Sequence, residues 1–361
     1  MKVQRVLMPG GGESWTVVDQ EGEVLPPAET YLAHLTALDR SPNTVRAYAT
    51  SLKLWFEFLG LAAVDWDHAG QDEVSRFVAW LRAPAANVVV LEGGAGRRAP
   101  SSVNRHLAAL FSFYDHHARA GVALADSLVS WRRSGRGGYK PFLHHVTAGR
   151  PVPARPVRLR VRRLIPRTLS PDQMATIIGA CERRRDQFLL SLLAETGMRI
   201  GQALGLRHAD FVSRDRQLRI VPRSDNANGA RAKTADVTVV PITASLVRLY
   251  TEYMFEEYGE LDSDYVFVNL WSAPLGAPLR YQAVHQLVGR LRARTGIDFT
   301  LHMLRHTHAT ELLRHGVSVD VVSRLLTHRL STTTSQTYGH LDVEDLRAEL
   351  VRVGAWQETK G

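Results

Sequence analysis

The stretch LHMLRHTHATELLRHG, residues 301–316, is followed by LLTHRLSTTTSQTYGHLD, residues 325–342. Together they crowd His302, Arg305, His306, His308, His315, His328 and His340 around a single tyrosine, Tyr338. The spacing of the apolar residues predicts helices over 302–315 and 318–327. Three chemistries compete for this set: a metal site, an ordinary polar helix surface, or a site that holds and cuts a phosphodiester. His302 and His306 lie four apart on one helix face, a zinc-binding spacing, yet Met303 stands where the zinc motif needs its glutamate. No third ligand is in register and no carboxylate lies nearby to act as base, so the metal reading is disfavoured. Cutting a phosphodiester without metal needs a nucleophile, cations that absorb the charge of the transition state, and an acid for the leaving oxygen. Guanidinium groups suit the middle task because their planar fork stays charged and grips two oxygens at once. Arg199, at the helix start that follows ETG at 195–197, and Arg305 are the candidates.

The whole chain is compatible with a polyanionic partner. At 361 residues it is long enough for two domains. Its formal charge of +9 is uneven: residues 131–167 hold eleven Lys and Arg and no acid, leaving the rest of the chain slightly negative. Such a stripe is the footprint of a partner whose phosphates release counterions when neutralised, and Arg155, Arg158, Arg160, Arg162, Arg163 and Arg167 are its candidate DNA contacts. The competing reading is a solvated linker. An acidic membrane would also attract the charge, but no apolar helical face accompanies it. No apolar run approaches the roughly 18 residues that span a bilayer, and the N-terminus lacks the apolar core of a signal peptide. The expectation is a cytoplasmic protein at the nucleoid. The single cysteine, Cys181, excludes an intrachain disulfide and a thiolate cluster.

Ahead of the basic segment, ETYLAHLTAL, SPNTVRAYATSLKLWFEFLG, DEVSRFVAWLRA and SSVNRHLAALFSFYDHHARAG repeat apolar residues at helical spacing, predicting a four-helix bundle over 24–128. Gly60 and Gly121 are expected as stops. The glycines of NVVVLEGGAGRRAP, 87–100, read as a turn, since no Gly-Lys-Ser/Thr follows to make a phosphate loop. Behind the basic segment, helices are predicted within 169–197, from Arg199, and at 244–258, 281–295 and 342–353. RQLRIVP and DVTVVPI read as a hairpin joined by the long polar loop RSDNANGARAKTA. The fold class is therefore mainly α with a small antiparallel β-sheet. Its expected divisions are an N-terminal segment to 23, a helical domain at 24–130, a basic linker at 131–167 and an α+β domain at 168–361.

The order ETGMRIGQALGLRHAD, a lysine in a hairpin, HMLRHTHATELLRHG, then LLTHRLSTTTSQTYGHL is similar to the tyrosine recombinase (phage integrase) family, and the helical half resembles that family's core-binding domain. The resemblance implies that Tyr338 attacks the scissile phosphate to give a 3′-phosphotyrosine and a free 5′-hydroxyl. It implies that Arg199 and Arg305 hold the phosphate, Lys233 protonates the leaving oxygen, His302 is the general acid/base and His328 donates to a phosphate oxygen. It further implies double-stranded DNA sites as partner, a homotetramer on paired sites, an accessory DNA-bending protein in some systems, and no metal, ATP or other cofactor. Rival readings are a type IB topoisomerase and a DNA-binding protein that has lost the chemistry; the intact set of six residues speaks against the latter. Two departures stand out. Gln202 replaces the acid usual three residues after the first arginine, and Thr327 replaces the glycine before the histidine. The helix after Tyr338, with Val343, Leu346, Leu350 and Val353 on one stripe, is too short to stand alone. The preferred reading docks it on a neighbouring protomer, with docking on its own domain as the alternative.

Overall fold

The computed structural model describes residues 1–8, 13–83, 98–124, 128, 130–132, 152–154, 157–161, 167–223, 225–232, 236–326 and 343–356. Lys233, His328, Tyr338, Arg155, Arg162, Arg163, Thr327 and most of the expected turn at 87–100 lie outside the described residues. The chain divides into two units, Met1–Arg163 and Leu164–Gly361.

The first unit contains the four predicted helices, α1 (Pro26–Ala37), α2 (Pro42–Ala62), α3 (Gln71–Arg82) and α4 (Pro100–Arg119). Ser41 caps α2 by accepting from the Thr44 amide, and Pro42 fits the first turn, where no intrahelical partner is needed for its nitrogen. The helix runs two residues past Gly60 and stops at Ala63, which takes the left-handed conformation at φ 55°. Aromatic rings fill the bundle. Trp55 donates its indole N–H to the Tyr114 hydroxyl (3.0 Å), which in turn donates to the Trp66 carbonyl (2.6 Å). The polar tips of Trp55 and Tyr114 thus have partners, as burial demands.

The bundle also carries sheet that the sequence reading lacked. Residues expected as a bare N-terminal segment form an antiparallel hairpin, β1 (Lys2–Leu7) with β2 (Glu13–Val18), and the Val17 side chain enters the helical core. Within the basic segment, β3 (Ser130–Arg132) pairs antiparallel with β4 (Val152–Ala154).

The second unit opens with α5 (Pro171–Gly179) and α6 (Arg184–Thr196), followed by the single turn α7 (Ile200–Ala203). A three-stranded antiparallel sheet follows: β5 (Phe211–Val212), β6 (Gln217–Ile220) and β7 (Thr238–Pro241) in that order. The predicted hairpin is β6–β7; β5 is too short for a periodicity to reveal. Then come α8 (Ala244–Tyr253, continued by a π-turn over Met254–Tyr258), α9 (Tyr281–Thr295), α10 (Leu301–Arg314), α11 (Val319–Leu325) and α12 (Val343–Arg352). Phe188 and Leu189 of α6, Phe267, Tyr253 and Leu304 sit in one buried core. A smaller core joins α10, α11 and α12 through Leu312, Val321, Leu325, Leu326, Leu346 and Leu350. The last helix therefore packs on its own chain, where Arg347 also donates to the carbonyls of Asp215 and Arg216 (2.8 and 2.9 Å). Within the single chain the stripe Leu346–Leu350 finds an apolar seat on α10 and α11, the arrangement read as the alternative to docking on a neighbouring protomer. Among the described residues no helix is long and apolar enough to cross a membrane.

Candidate active site

Three of the six expected catalytic residues are described, and the fold brings them to one place. Helix α6 ends where Gly197 adopts φ 61°, a conformation open to glycine at little cost. The site imposes a second reason for glycine: a Cβ there would sit 2.6 Å from His308 Cδ2 and 2.7 Å from Leu326 Cδ2. The turn delivers Arg199 to the N-cap of α7, half-buried, with its main-chain N–H donating to Gln202 Oε1 (2.7 Å). Gln202, itself buried, thus holds the backbone of Arg199 in a capping box. Its amide serves this task as a carboxylate would, which answers what the departure at this position does locally.

Arg305 lies on the first turns of α10 and is only 5% exposed. Its Nη1 donates to the Gly197 carbonyl (2.7 Å) and its Nη2 to the Leu326 carbonyl (2.6 Å). One guanidinium therefore ties together the turn that carries Arg199 and the end of α11, from which the chain continues toward residue 328. Burial pushes Arg305 down to about 10, helped by the nearby positive charge of Arg199. Among the described residues no carboxylate pairs with Arg305, so the penalty of burying this charge is left for an anion to relieve. Arg199 is lowered as well, by desolvation. His302, exposed in the first turn of α10, stacks edge-to-face on His306 at 4.3 Å between centroids. Desolvation, then the charges of His306, Arg305 and Arg199, lower its pKa, which favours the neutral imidazole that can accept a proton.

The loop between β6 and β7 is ordered by its asparagines. Asn228 donates to the carbonyls of Leu204 and Leu279 (both 2.9 Å) and accepts from the Ala230 amide (3.0 Å). Asn226 donates to the Ala230 carbonyl (2.8 Å). The loop then presses on α7, where a Cβ on Gly201 would come within 2.6 Å of the Arg231 carbonyl. The chain just ahead of Lys233 is in this way anchored beside Arg199. Sequence reasoning read Gly197 only as a helix stop and did not single out Gly201, Asn226 or Asn228, although a glycine next to a candidate arginine and asparagines in a long loop were available signals. It also left out Glu195, whose carboxylate accepts from the Thr243 amide and hydroxyl (2.7 and 2.8 Å) and so caps α8. Burial raises its pKa. Of the basic-segment arginines, Arg158 and Arg160 are exposed, whereas Arg167 pairs with Asp298 at 3.1 Å on the surface. His308, expected at the surface, is packed beneath Gly197, and desolvation lowers it to about 4.

Comparison with known proteins fits this geometry. Residues 167–345 match the model of the phage integrase family, and residues 28–121 match the phage integrase N-terminal SAM-like domain. Transposase A from transposon Tn554 of Staphylococcus aureus is 38% identical over 352 residues, covering 97% of each chain. The chain belongs to the phage integrase family. It is thus a tyrosine recombinase, an enzyme that breaks and rejoins DNA strands. Tyrosine recombinase XerC of Roseiflexus castenholzii is 27% identical over 88% of this chain and 89% of its own. In fold, the chain is similar to the Tn1549 transposon integrase in complex with circular intermediate DNA (TM-score 0.58, 15% identity, 89% of this chain and 98% of that one). It is also similar to the lambda integrase dimer bound to a core site (0.56, 17% identity, 88% and 76%).

Proposed function

We propose that the chain is a site-specific recombinase of the integrase or transposase type that acts on double-stranded DNA through a 3′-phosphotyrosine intermediate. The observation that carries this reading is Arg305: a buried guanidinium that has no carboxylate partner among the described residues, beside a second desolvated arginine and a histidine held toward neutrality. In the reaction, Tyr338 Oη attacks phosphorus and the P–O5′ bond breaks. His302 takes the phenolic proton, Lys233 gives one to the departing 5′ oxygen, and Arg199, Arg305 and His328 stabilise the phosphoryl oxygens. Attack by the freed 5′-hydroxyl of a partner strand reverses these steps. Because the phosphotyrosine keeps the energy of the broken ester, no ATP is needed, and the guanidinium groups take the place of a metal in neutralising the charge of the transition state. The similarity to recombinases solved on DNA supports a duplex partner. The family resemblance further implies assembly on paired sites, in the expected case by four copies, with an accessory DNA-bending protein in some systems.

The test is covalent trapping on nicked suicide duplexes drawn from the ends of the native element. An adduct that survives denaturation in the wild type and is absent in Tyr338→Phe supports the mechanism. Tight binding without an adduct would leave a DNA-binding protein that lacks this chemistry.

A further inference from the structure

The part of the basic segment that follows β4 is seated on the first unit. Val157 and Leu159 pack against the helical core, while Arg158 and Arg160 between and beyond them are exposed. This in-out alternation is that of an extended strand lying on an apolar surface. No sheet receives it. Instead a single side chain of α4 plays the part of a neighbouring strand: Asn104 Nδ2 donates to the Leu159 carbonyl (2.9 Å), and the Leu159 amide donates to Asn104 Oδ1 (2.8 Å). Both main-chain groups of one residue are satisfied by one amide, which fixes the register as well as the attachment. A slip by one residue would turn the arginines inward and the apolar pair outward. Among the described residues neither Arg158 nor Arg160 is in an ion pair, and Arg105, the residue next to the latch on α4, is exposed too.

We propose that Asn104 is a positioning residue for DNA binding, which latches the strap 157–160 to α4 and so presents Arg158 and Arg160 as pre-ordered ligands for backbone phosphates. The proposal rests on the DNA-binding reading above. The physical gain is entropic. A loose basic peptide must be ordered when it meets the duplex, whereas a latched strap has its backbone fixed already. Asn104 itself need not touch DNA.

The experiment measures affinity of the full chain for its end duplex across a salt series, in wild type, Asn104→Ala, the double variant Arg158→Gln/Arg160→Gln, and the triple variant. Alanine suits a helix interior at least as well as asparagine, so α4 should persist. The strap-side variant Leu159→Pro removes the hydrogen bond that the residue 159 N–H donates to Asn104 Oδ1 and leaves α4 untouched. The double variant should flatten the slope of log affinity against log salt by about 1.8, near 0.9 for each lost phosphate contact. Asn104→Ala should weaken binding about 5- to 20-fold when both arginines are present and less than about 2-fold when they are not, a coupling that a double-mutant cycle isolates. Leu159→Pro should behave likewise. Equal losses in both backgrounds, or none in either, would overturn the latch. An unchanged slope in the double variant would overturn the arginines as phosphate ligands, while trapping of the wild-type adduct kept the functional reading intact. Absence of both binding and adduct in the wild type would instead remove that reading and the latch with it.

Discussion

At the scale of single residues, the fork of Arg305 spans the Gly197 and Leu326 carbonyls, and on the proposed mechanism its remaining N–H groups serve the phosphate, a combination that lysine could not offer. Arg305→Lys retains the charge but cannot bridge both carbonyls. Single-turnover cleavage should fall by about 10²-fold or more, the usual cost of losing a donor aimed at developing charge, and the melting temperature should drop by several degrees. Loss of activity with unchanged stability would mean the carbonyl bonds are incidental. Gly197→Ala should cost at least about 2 kcal/mol in denaturant unfolding, because a left-handed backbone and two contacts under 3 Å oppose the added methyl. The pH dependence has a definite sign. On the proposed mechanism His302 acts as a base, which requires the neutral ring, and its pKa is lowered, so cleavage should stay flat from neutrality down through 6.5 and decline only below it. A pH–rate profile that already falls above 6.5 would contradict the assignment. Of these residues, Arg199, His302 and Arg305 were legible in the sequence because their chemistry is rare in combination. Gly197 was legible only as a helix stop and Gln202 only as a departure from the family pattern; the close contacts of the one and the main-chain hydrogen bond of the other depend on what the fold brings against them.

At the scale of elements, the helices were legible where apolar spacing and caps agreed. Ser41–Pro42 starts α2, Ser170–Pro171 starts α5 and Gly197 ends α6, each by a local mechanism that needs no tertiary partner. The hairpin β1–β2 was missed because each six-residue strand is half apolar without a clean alternation, so the pairing of the two strands carries the signal rather than the pattern of either. The seat of α12 was also hidden. Its stripe of Leu346 and Leu350 announces that something must cover it, yet only the fold shows that α10 and α11 do. This docking bears on catalysis, for the small core holds Leu326, the residue whose carbonyl Arg305 grips, at the start of the segment that carries His328 and Tyr338. Leu350→Ala should remove roughly 2–4 kcal/mol of packing. Hydrogen exchange of α11 should rise accordingly and adduct formation should fall, although Leu350 lies in the small core and is not among the proposed catalytic residues. Faster exchange with full adduct yield would separate the small core from the positioning of Tyr338.

At the scale of the whole molecule, the uneven charge was plain from composition, because a stretch with eleven basic residues and no acid needs no structure to be seen. What composition could not show is that part of this stretch is built into the first unit through β3–β4 and the Asn104 latch. Each unit has its own core, around Trp55, Phe113 and Tyr114 in one and Phe188, Tyr253 and Phe267 in the other. Both are of a size at which a single core ordinarily sustains folding. Calorimetry of the full chain should therefore resolve two transitions, and fragments 1–163 and 164–361 should each unfold cooperatively within a few degrees of their counterparts. The second fragment retains all six proposed catalytic residues but lacks the exposed Arg158 and Arg160. It should bind the end duplex more weakly and with a shallower salt slope, yet form the Tyr338 adduct at an undiminished rate once saturated. A fragment that folds and saturates but no longer cleaves would show that the first unit acts on the phosphate site and does more than hold the DNA.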